Sequence, residues 1–479
     1  MTKVKGYIKK EDRKRILLLC DDIRVHSGIA TMAREIVVNS AQTFNWFNVG
    51  AAIKHPDIGK MIDLSDNINE QHGFTDAEVK ILPSNGYGDA SLIRNILKNQ
   101  DIDAIMIFTD PRYWTWLFEI EREIRSQVPI IWYNIWDDYP APLYNKDYYR
   151  SVDTLLAISK QTKNINELVL DEYADSKIIK YVPHGIDEKV FFPIDPLDKD
   201  FVSFKNSTLK GRDLDFLAFY NSRNIARKHP HDLMLGYRMF CDMIGEEAAK
   251  KCGLIMHTQP VDQHGTDLPA IKEALCDPSY VNVMFSSNKL TAPQLNCLYN
   301  MADVTVLPSS NEGWGLSLTE SMMAGTMIAA NVTGGMQDQM RFTDDKGKWI
   351  DFDADFPSNH RGTYKEHGEW AVPIYPSNIS LQGSPTTPYI YDDRCSPESI
   401  AYAILEVYNL NAKERHAKGL KGREWALSEE SNFTAKKMTQ GIVDGINETL
   451  DNFKPRELFE LIKVEPRKPR VIKHKLIGY

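Results

Sequence analysis

The stretch that most constrains this chain runs from Val304 to Gly325. Val304-Thr305-Val306-Leu307 is a short continuous apolar run closed by Pro308-Ser309-Ser310. Such a run reads as a buried strand of a parallel sheet, because helices cover both of its faces. Asn311-Glu312-Gly313-Trp314-Gly315-Leu316-Ser317-Leu318-Thr319-Glu320 follows as a turn, and Ser321-Met322-Met323-Ala324-Gly325 reads as a helix stopped at a glycine. Strand, glycine turn and helix form the repeating unit of a doubly wound α/β sheet, which binds ligands outside the carboxyl ends of its strands. Gly313 and Gly315 let the backbone approach a ligand with its N–H groups outward. The helix behind them aims its positive end at the same spot. Glu312 and Glu320 bracket the turn, so the pocket suits an anion on the amides and sugar hydroxyls on the carboxylates. The competing reading is a plain strand–loop–helix connection carrying two surface glutamates.

The same unit recurs along the chain. Arg15 to Cys20 is an apolar run, Asp21 to Gly28 its loop, and Ile29 to Val38 has apolar residues at helical spacing. Strands are expected at Trp46–Ile53, Ala104–Phe108, Pro129–Ile135 and Leu155–Ser159, with helices at Ala90–Lys98 and Pro111–Arg125. Trp114, Trp116, Leu117 and Phe118 are too apolar for a free surface, so core packing is expected; an acceptor platform is the alternative. From Phe192 to Asp213 prolines and charges thicken and the periodicity lapses, which places a linker at residues 196–213. Strands resume at Asp215–Tyr220, Gly253–His257, Val281–Phe285 and Thr326–Ala330. Residues 342–395 form a long insert of poor periodicity, rich in Pro, Gly and aromatics. The expected fold class is α/β: two doubly wound, Rossmann-like domains facing across a cleft. The first spans 1–195 and the second 214–430; a last helix with a basic tail occupies 431–479.

At 479 residues the chain exceeds one core and suits two. There is no apolar run of the roughly 20 residues that span a bilayer, and the first ten residues are too polar for a secretory signal. Six cysteines at 20, 241, 252, 276, 297 and 395 include no Cys-x-x-Cys pair. Buried thiols and a cytoplasmic location are therefore expected rather than disulfides or zinc. A net charge of −9 argues against a general nucleic-acid binder. The ends depart from that average. Lys3, Lys5, Lys9, Lys10, Arg13, Lys14 and Arg15 crowd the start; Lys454, Arg456, Lys463, Arg467, Lys468, Arg470, Lys473 and Lys475 crowd the end. Solvated tails are the usual reading. If the two ends meet beside the first domain's cleft, the acceptor is polyanionic: DNA or an anionic membrane surface.

After Tyr220 the chain reads Asn221-Ser222-Arg223-Asn224-Ile225-Ala226-Arg227-Lys228. Arg223 and Lys228, five apart on one loop, can converge on a diphosphate and stabilise the charge that grows on it as a bond to it breaks. Asp-Asp pairs at 21–22, 137–138, 344–345 and 392–393 leave a metal reading open, although each more often marks a loop or cap.

The run Glu312-Gly313-Trp314-Gly315-Leu316-Ser317-Leu318-Thr319-Glu320-Ser321-Met322-Met323-Ala324-Gly325-Thr326 resembles the donor-site motif of glycosyltransferase family 4. Those GT-B enzymes use nucleotide-sugars and retain anomeric configuration. The resemblance is strongest from Asp215 to Asp338. It implies that Arg223 and Lys228 take the diphosphate and Glu312 the donor sugar. Gly313, Trp314, Gly315 and Leu316 would meet phosphate or sugar, Glu320 the ribose, and Leu290 the region of the base. Gly28 matches the family's loop glycine, although Ser27 replaces its usual partner. Trp136 stands where a histidine is common, which leaves Asp137 as the candidate for a sugar hydroxyl or for orienting the acceptor. No cofactor beyond the nucleoside diphosphate sugar and no metal is implied. The rivals are a catalytically silent nucleotide-binding module and a phosphorylase-like enzyme. Glycan, lipid and modified nucleic acid such as hydroxymethylated DNA all stay open as acceptors.

Overall fold

The computed structural model describes residues 6–51, 56–353, 359 and 362–459. Strands β1 (Lys14–Asp21), β2 (Phe44–Ala51), β3 (Ile62–Asp63), β4 (Val79–Pro83), β5 (Ala104–Ile107), β6 (Ile130–Asn134), β7 (Thr154–Ala157) and β8 (Ile178–Tyr181) form the first sheet. Their order is β3-β4-β2-β1-β5-β6-β7-β8, with β3 antiparallel to β4 and the other pairs parallel. The second sheet holds β9 (Phe216–Asn221), β10 (Cys252–His257), β11 (Val283–Ser286), β12 (Val304–Leu307), β13 (Met327–Asn331) and β14 (Ala371–Ile374). Its order is β11-β10-β9-β12-β13-β14, all parallel. Every residue of β2, β5, β6, β7, β12 and β13 is buried, as continuous apolar strands between two helix layers require. In each sheet the order reverses beside the first strand, between β1 and β5 and between β9 and β12. Those are the two points where a doubly wound sheet opens a crevice.

Three regions depart from the expectation. Residues 196–213 are not an extended linker: Lys199–Leu209 is a helix capped by Asp198, with Phe201 and Leu209 buried. Too few apolar positions lie along it for periodicity to reveal it. Pro111–Arg125 is not one helix but a turn, Pro111–Trp114, and two short helices that break at Ile120. Its Trp114 and Leu117 are fully buried, so this segment packs the core. The long insert supplies β14 and a hairpin, β15 (Asn378–Ser384) and β16 (Thr387–Arg394), which belongs to neither sheet.

The last helix, Ala435–Asn452, returns to the first sheet and packs on the helix Gly28–Ser40 and on β7. Thr154 and Thr449 share a hydroxyl hydrogen bond of 2.6 Å, and Ile186 pairs with Thr434 where the chain re-enters. The described part of the basic start does not reach the cleft. Lys14 and Arg15 open β1, whereas the Ser27-Gly28 loop leaves its other end, roughly 23 Å along an eight-residue strand. Lys10 and Arg15 pair with Glu78, Arg13 with Asp76 and Lys14 with Asp103. Arg456 donates its backbone N–H to Arg125 O at 2.8 Å. Residues 460–479, which carry most of the basic tail, and Lys3 and Lys5 lie outside the described residues. All six cysteines are unpaired and five are buried. Among the described residues no helix is long and apolar enough to cross a membrane.

Gly185 lies where the two halves are stitched together: a Cβ there would stand 2.1 Å from Thr434 O. Gly185→Ala is expected to destabilise the protein by about 1–3 kcal/mol, read as a lower thermal midpoint. An unchanged midpoint would show that the last helix is not docked this way.

Candidate active site

Because β9 and β12 are neighbours, the loops that leave their carboxyl ends meet. The first loop is pinned by Asn224, which is fully buried and donates to Gln259 O, Pro260 O and Thr266 O. One turn, Ala226–Lys228, follows and turns Arg227 and Lys228 toward the second loop. The two loops are joined at the backbone, Ser310 N to Arg227 O at 2.9 Å. Lys228 Nζ then donates to Glu312 Oε1 in a buried ion pair. Ser309 Oγ donates to the same oxygen at 3.1 Å. Arg227 Nη1 lies 2.5 Å from Asn311 O and 3.9 Å from Glu312 Oε2.

Glu312 is held from behind. Gly335 N donates to Glu312 O at 3.0 Å, and a Cβ on Gly334 would fall 2.0 Å from that oxygen. Gly315, at φ +86°, starts the helix Leu316–Met323. That helix begins five residues earlier than the sequence suggests, so Glu320 sits inside it rather than before it. Tyr299 Oη donates to Glu320 Oε2 at 2.5 Å. Trp314 packs edge-on between Phe433 and His184 and is almost fully buried.

These groups line a cleft of about 550 Å³. Its walls include Lys228, Arg227, Glu312, Gly313 to Ser317 and Glu320 from the second half, and Ser27, Gly28, Asp137 and His184 from the first. Ser27, in place of a glycine, caps the helix Gly28–Ser40 at Ala30 N and donates to Asp21 Oδ2 at 2.7 Å. Of the expected site residues, Lys228, Glu312, Gly313, Trp314, Gly315, Leu316, Glu320, Gly28 and Asp137 are brought together.

Two expected residues are not. Arg223 points to the other side of its loop, pairs with Asp262 at 2.9 Å and keeps 60% of its side chain exposed. Its neighbour Asn224 is anchored to the same 259–266 segment that holds Asp262. Arg227, adjacent to Lys228 in sequence, occupies the cleft instead. Leu290 packs against the hydrophobic core and does not line the cleft. Sequence reasoning also passed over Asp138 and Asn311. Asn311 Nδ2 donates to Asp138 Oδ1 and to Tyr391 O, joining first half, site loop and hairpin. Trp136, in the usual histidine position, is buried and donates its indole N–H to Asp138 O.

The charges are strongly displaced. Burial raises the Glu312 carboxyl, but Lys228 and Arg227 outweigh it and hold it below its ordinary value. Burial, with Arg227's charge beside it, brings Lys228 down to about 8 despite Glu312. Burial brings His184 down to about 3. That ring is neutral, with Nδ1 2.8 Å from Tyr133 Oη, whose own proton goes to Val182 O. Burial pushes Asp138 well above the carboxylate range, helped by the charge and hydrogen bond of Asp137. Asp137 is raised too, by burial against the pull of Arg227. Among the described residues one group has metal-ligand spacing, His229, His231 and Asp232, with ligand atoms within 4.8 Å. Arg394 already holds both oxygens of Asp232, at 2.9 and 3.0 Å.

Residues 281–354 match the family model Glycosyl transferases group 1. The fold of the whole chain matches solved structures: Anabaena Alr3699/HepE in complex with UDP and glucose aligns with TM-score 0.62 at 13% identity, over 91% of this chain and 100% of that one. The chain has a GT-B fold, with similarity to group 1 glycosyl transferases over residues 281–354. Two curated relatives share part of the sequence. The D-inositol 3-phosphate glycosyltransferase of Paenarthrobacter aurescens is 28% identical over 36% of this chain and 39% of its own length. The mannosylfructose-phosphate synthase of Agrobacterium fabrum is 24% identical over 39% of each. The chain thus spans well under half the length of the curated relatives it matches. The group 1 segment starts before β11 and ends past the Gly334-Gly335 support, so Glu312 and Glu320 fall inside it while Lys228 does not.

Burial raises Glu320 to about 7 against the hydrogen bond from Tyr299. Its ordinary value is 4.5, so between these pH values the folded chain holds a proton that the unfolded chain releases. The resulting stabilisation is complete below 4.5 and is lost as pH rises through 7. Allowing for partial exposure to the cleft, wild type is expected to lose roughly 2 kcal/mol relative to Glu320→Gln between pH 4.5 and 7.5. Parallel stability–pH curves for the two proteins would contradict this.

Proposed function

We propose that this protein is a retaining glycosyltransferase that moves a sugar from a nucleoside diphosphate sugar to an acceptor hydroxyl without a metal ion. The observation that carries the reading is the buried Lys228–Glu312 pair facing the glycine-led helix N-terminus in one cleft. Lys228 and Arg227 receive the diphosphate, joined by amides of the Gly315-Leu316 turn. Glu320 accepts the ribose hydroxyls, and Glu312 accepts hydroxyls of the donor sugar. As the anomeric C–O bond to phosphate breaks, charge grows on the leaving oxygen, where the two fixed cations stabilise it. The acceptor oxygen attacks the anomeric carbon from the same face, and its proton passes to the departing phosphate oxygen. No protein base is required. The structural neighbour bound to UDP makes UDP-sugars the first donors to test.

Each charge-assisted hydrogen bond contributes roughly 1.5–3 kcal/mol, or about ten- to a hundredfold in affinity. Arg227→Ala and Lys228→Ala are therefore each expected to weaken UDP binding at least tenfold by calorimetry, and Arg223→Ala less than twofold. A large loss in Arg223→Ala with none in Arg227→Ala would reverse the assignment. Slow hydrolysis of a UDP-sugar by wild type supports the enzyme reading; tight UDP binding without turnover of any donor would favour a nucleotide-binding module instead.

A further inference from the structure

A second cavity, of about 640 Å³, adjoins the donor cleft. The two share Ile135, Asp137 and Arg227, so a ligand in the second cavity presents its end to the reacting centre. Its outer wall is the hairpin β15–β16, through Gln382, Ser384, Thr387, Ile390 and Asp392. We propose that this hairpin completes an acceptor site selective for an uncharged, hydroxyl-rich saccharide end over a sugar phosphate or other polyanion. The proposal rests on the glycosyl-transfer reading above.

The wall is fixed from both sides. Tyr391 N donates to Tyr139 O at 2.6 Å, and Tyr144 Oη donates to Tyr389 O at 3.1 Å. Toward the second half, Thr333 Oγ1 donates to Asp393 Oδ2 at 2.6 Å, and Asn311 reaches Tyr391 O at 2.7 Å. A segment held this way is a preformed surface.

The charges of the cavity decide what it accepts. Of its two guanidinium groups, Arg112 is fully engaged within the protein. Arg112 gives Nε and Nη2 to Asp110 at 2.5 to 3.0 Å and Nη1 to Thr387 at 2.8 Å. Arg227 gives Nη1 to Asn311 O, with Glu312 Oε2 3.9 Å from the same nitrogen, and in the reading above its other donors serve the diphosphate. Against them stand the carboxyl groups of Asp392, Asp137 and Asp138. A phosphate entering here would meet these carboxyl groups and an Arg112 whose donors are already taken, with Arg227 given to the donor diphosphate in the reading above. A hydroxyl-rich ligand suits the same walls, since each hydroxyl both donates and accepts. His229 adds an independent sign: it is 8% exposed and lines the cavity, and while its Nδ1 faces Asp232 Oδ2 at 3.4 Å its Nε2 has no hydrogen-bond partner. Buried polar atoms are normally satisfied, so an unpartnered ring nitrogen at a cavity wall suits a ligand hydroxyl.

The test measures UDP release from a UDP-sugar that the wild-type protein hydrolyses, with matched acceptor pairs: glucose against glucose 6-phosphate, mannose against mannose 6-phosphate, and neutral disaccharides. At least one neutral sugar is expected to accelerate release tenfold or more over its phosphate. Asp392→Lys is expected to shift the neutral-to-phosphate ratio at least tenfold toward the phosphate, a ratio that does not depend on how much protein is folded. Preference for the phosphates by wild type, no acceleration by any neutral sugar, or an unmoved ratio in Asp392→Lys each overturns the proposal while leaving donor hydrolysis intact. If wild type neither binds UDP nor hydrolyses any donor, the glycosyl-transfer reading fails and this proposal falls with it.

Discussion

The buried pair between Lys228 and Glu312 is the contact on which the rest of the site depends. Taking an ammonium and a carboxylate out of water costs several kcal/mol per ion, and their attraction rarely returns much more than that. Such a pair is poor evidence of stability. Here a second cation, Arg227, stands beside it and lowers Lys228 further. Two cations thus stand beside one carboxylate in the same cleft, and the fold is arranged to keep them there. Adjacent parallel strands bring the two loops together, Asn224 aims the first, and the Gly334-Gly335 turn supports the second at distances that admit no side chain.

The opposite polarity appears a few residues away. Asp137 lies between the two, lining both cavities and close enough to Arg227 and Glu312 to feel both charges. One side of this residue is cationic and the other carboxylate-rich. A reaction that separates a diphosphate from a sugar and joins the sugar to a hydroxyl needs that contrast, with charge developing toward the cations and away from the acceptor. The second half supplies both the donor loops and the hairpin, and the last helix locks it onto the first half through Thr434 and Thr449. Closure of the cleft is thus built from three separate stretches of chain.

Much of the fold was legible because buried parallel strands are written as unbroken apolar runs; β1, β6 and β12 stand out on that ground alone. The Glu312 turn was legible from its glycines. What failed has physical causes. The helix Lys199–Leu209 buries little, so it carries no stripe. β14 contains Pro373 at its edge, and the hairpin is half exposed and largely polar, so neither alternates. Leu316 starts a helix buried on nearly every side, which hides its first turn. Three cations, Arg223, Arg227 and Lys228, lie within six residues, and spacing alone cannot choose among them; the contacts with Asp262 and Glu312 do. The basic start looked like a patch only because its partners, Asp76, Glu78 and Asp103, are far away in sequence.

A crystal structure of the protein soaked with UDP tests the central claim most directly. The account predicts diphosphate oxygens within hydrogen-bond distance of Lys228 Nζ and the Arg227 guanidinium, with the ribose hydroxyls on Glu320. UDP bound with its diphosphate on Arg223, or outside the cleft between the two sheets, would contradict it.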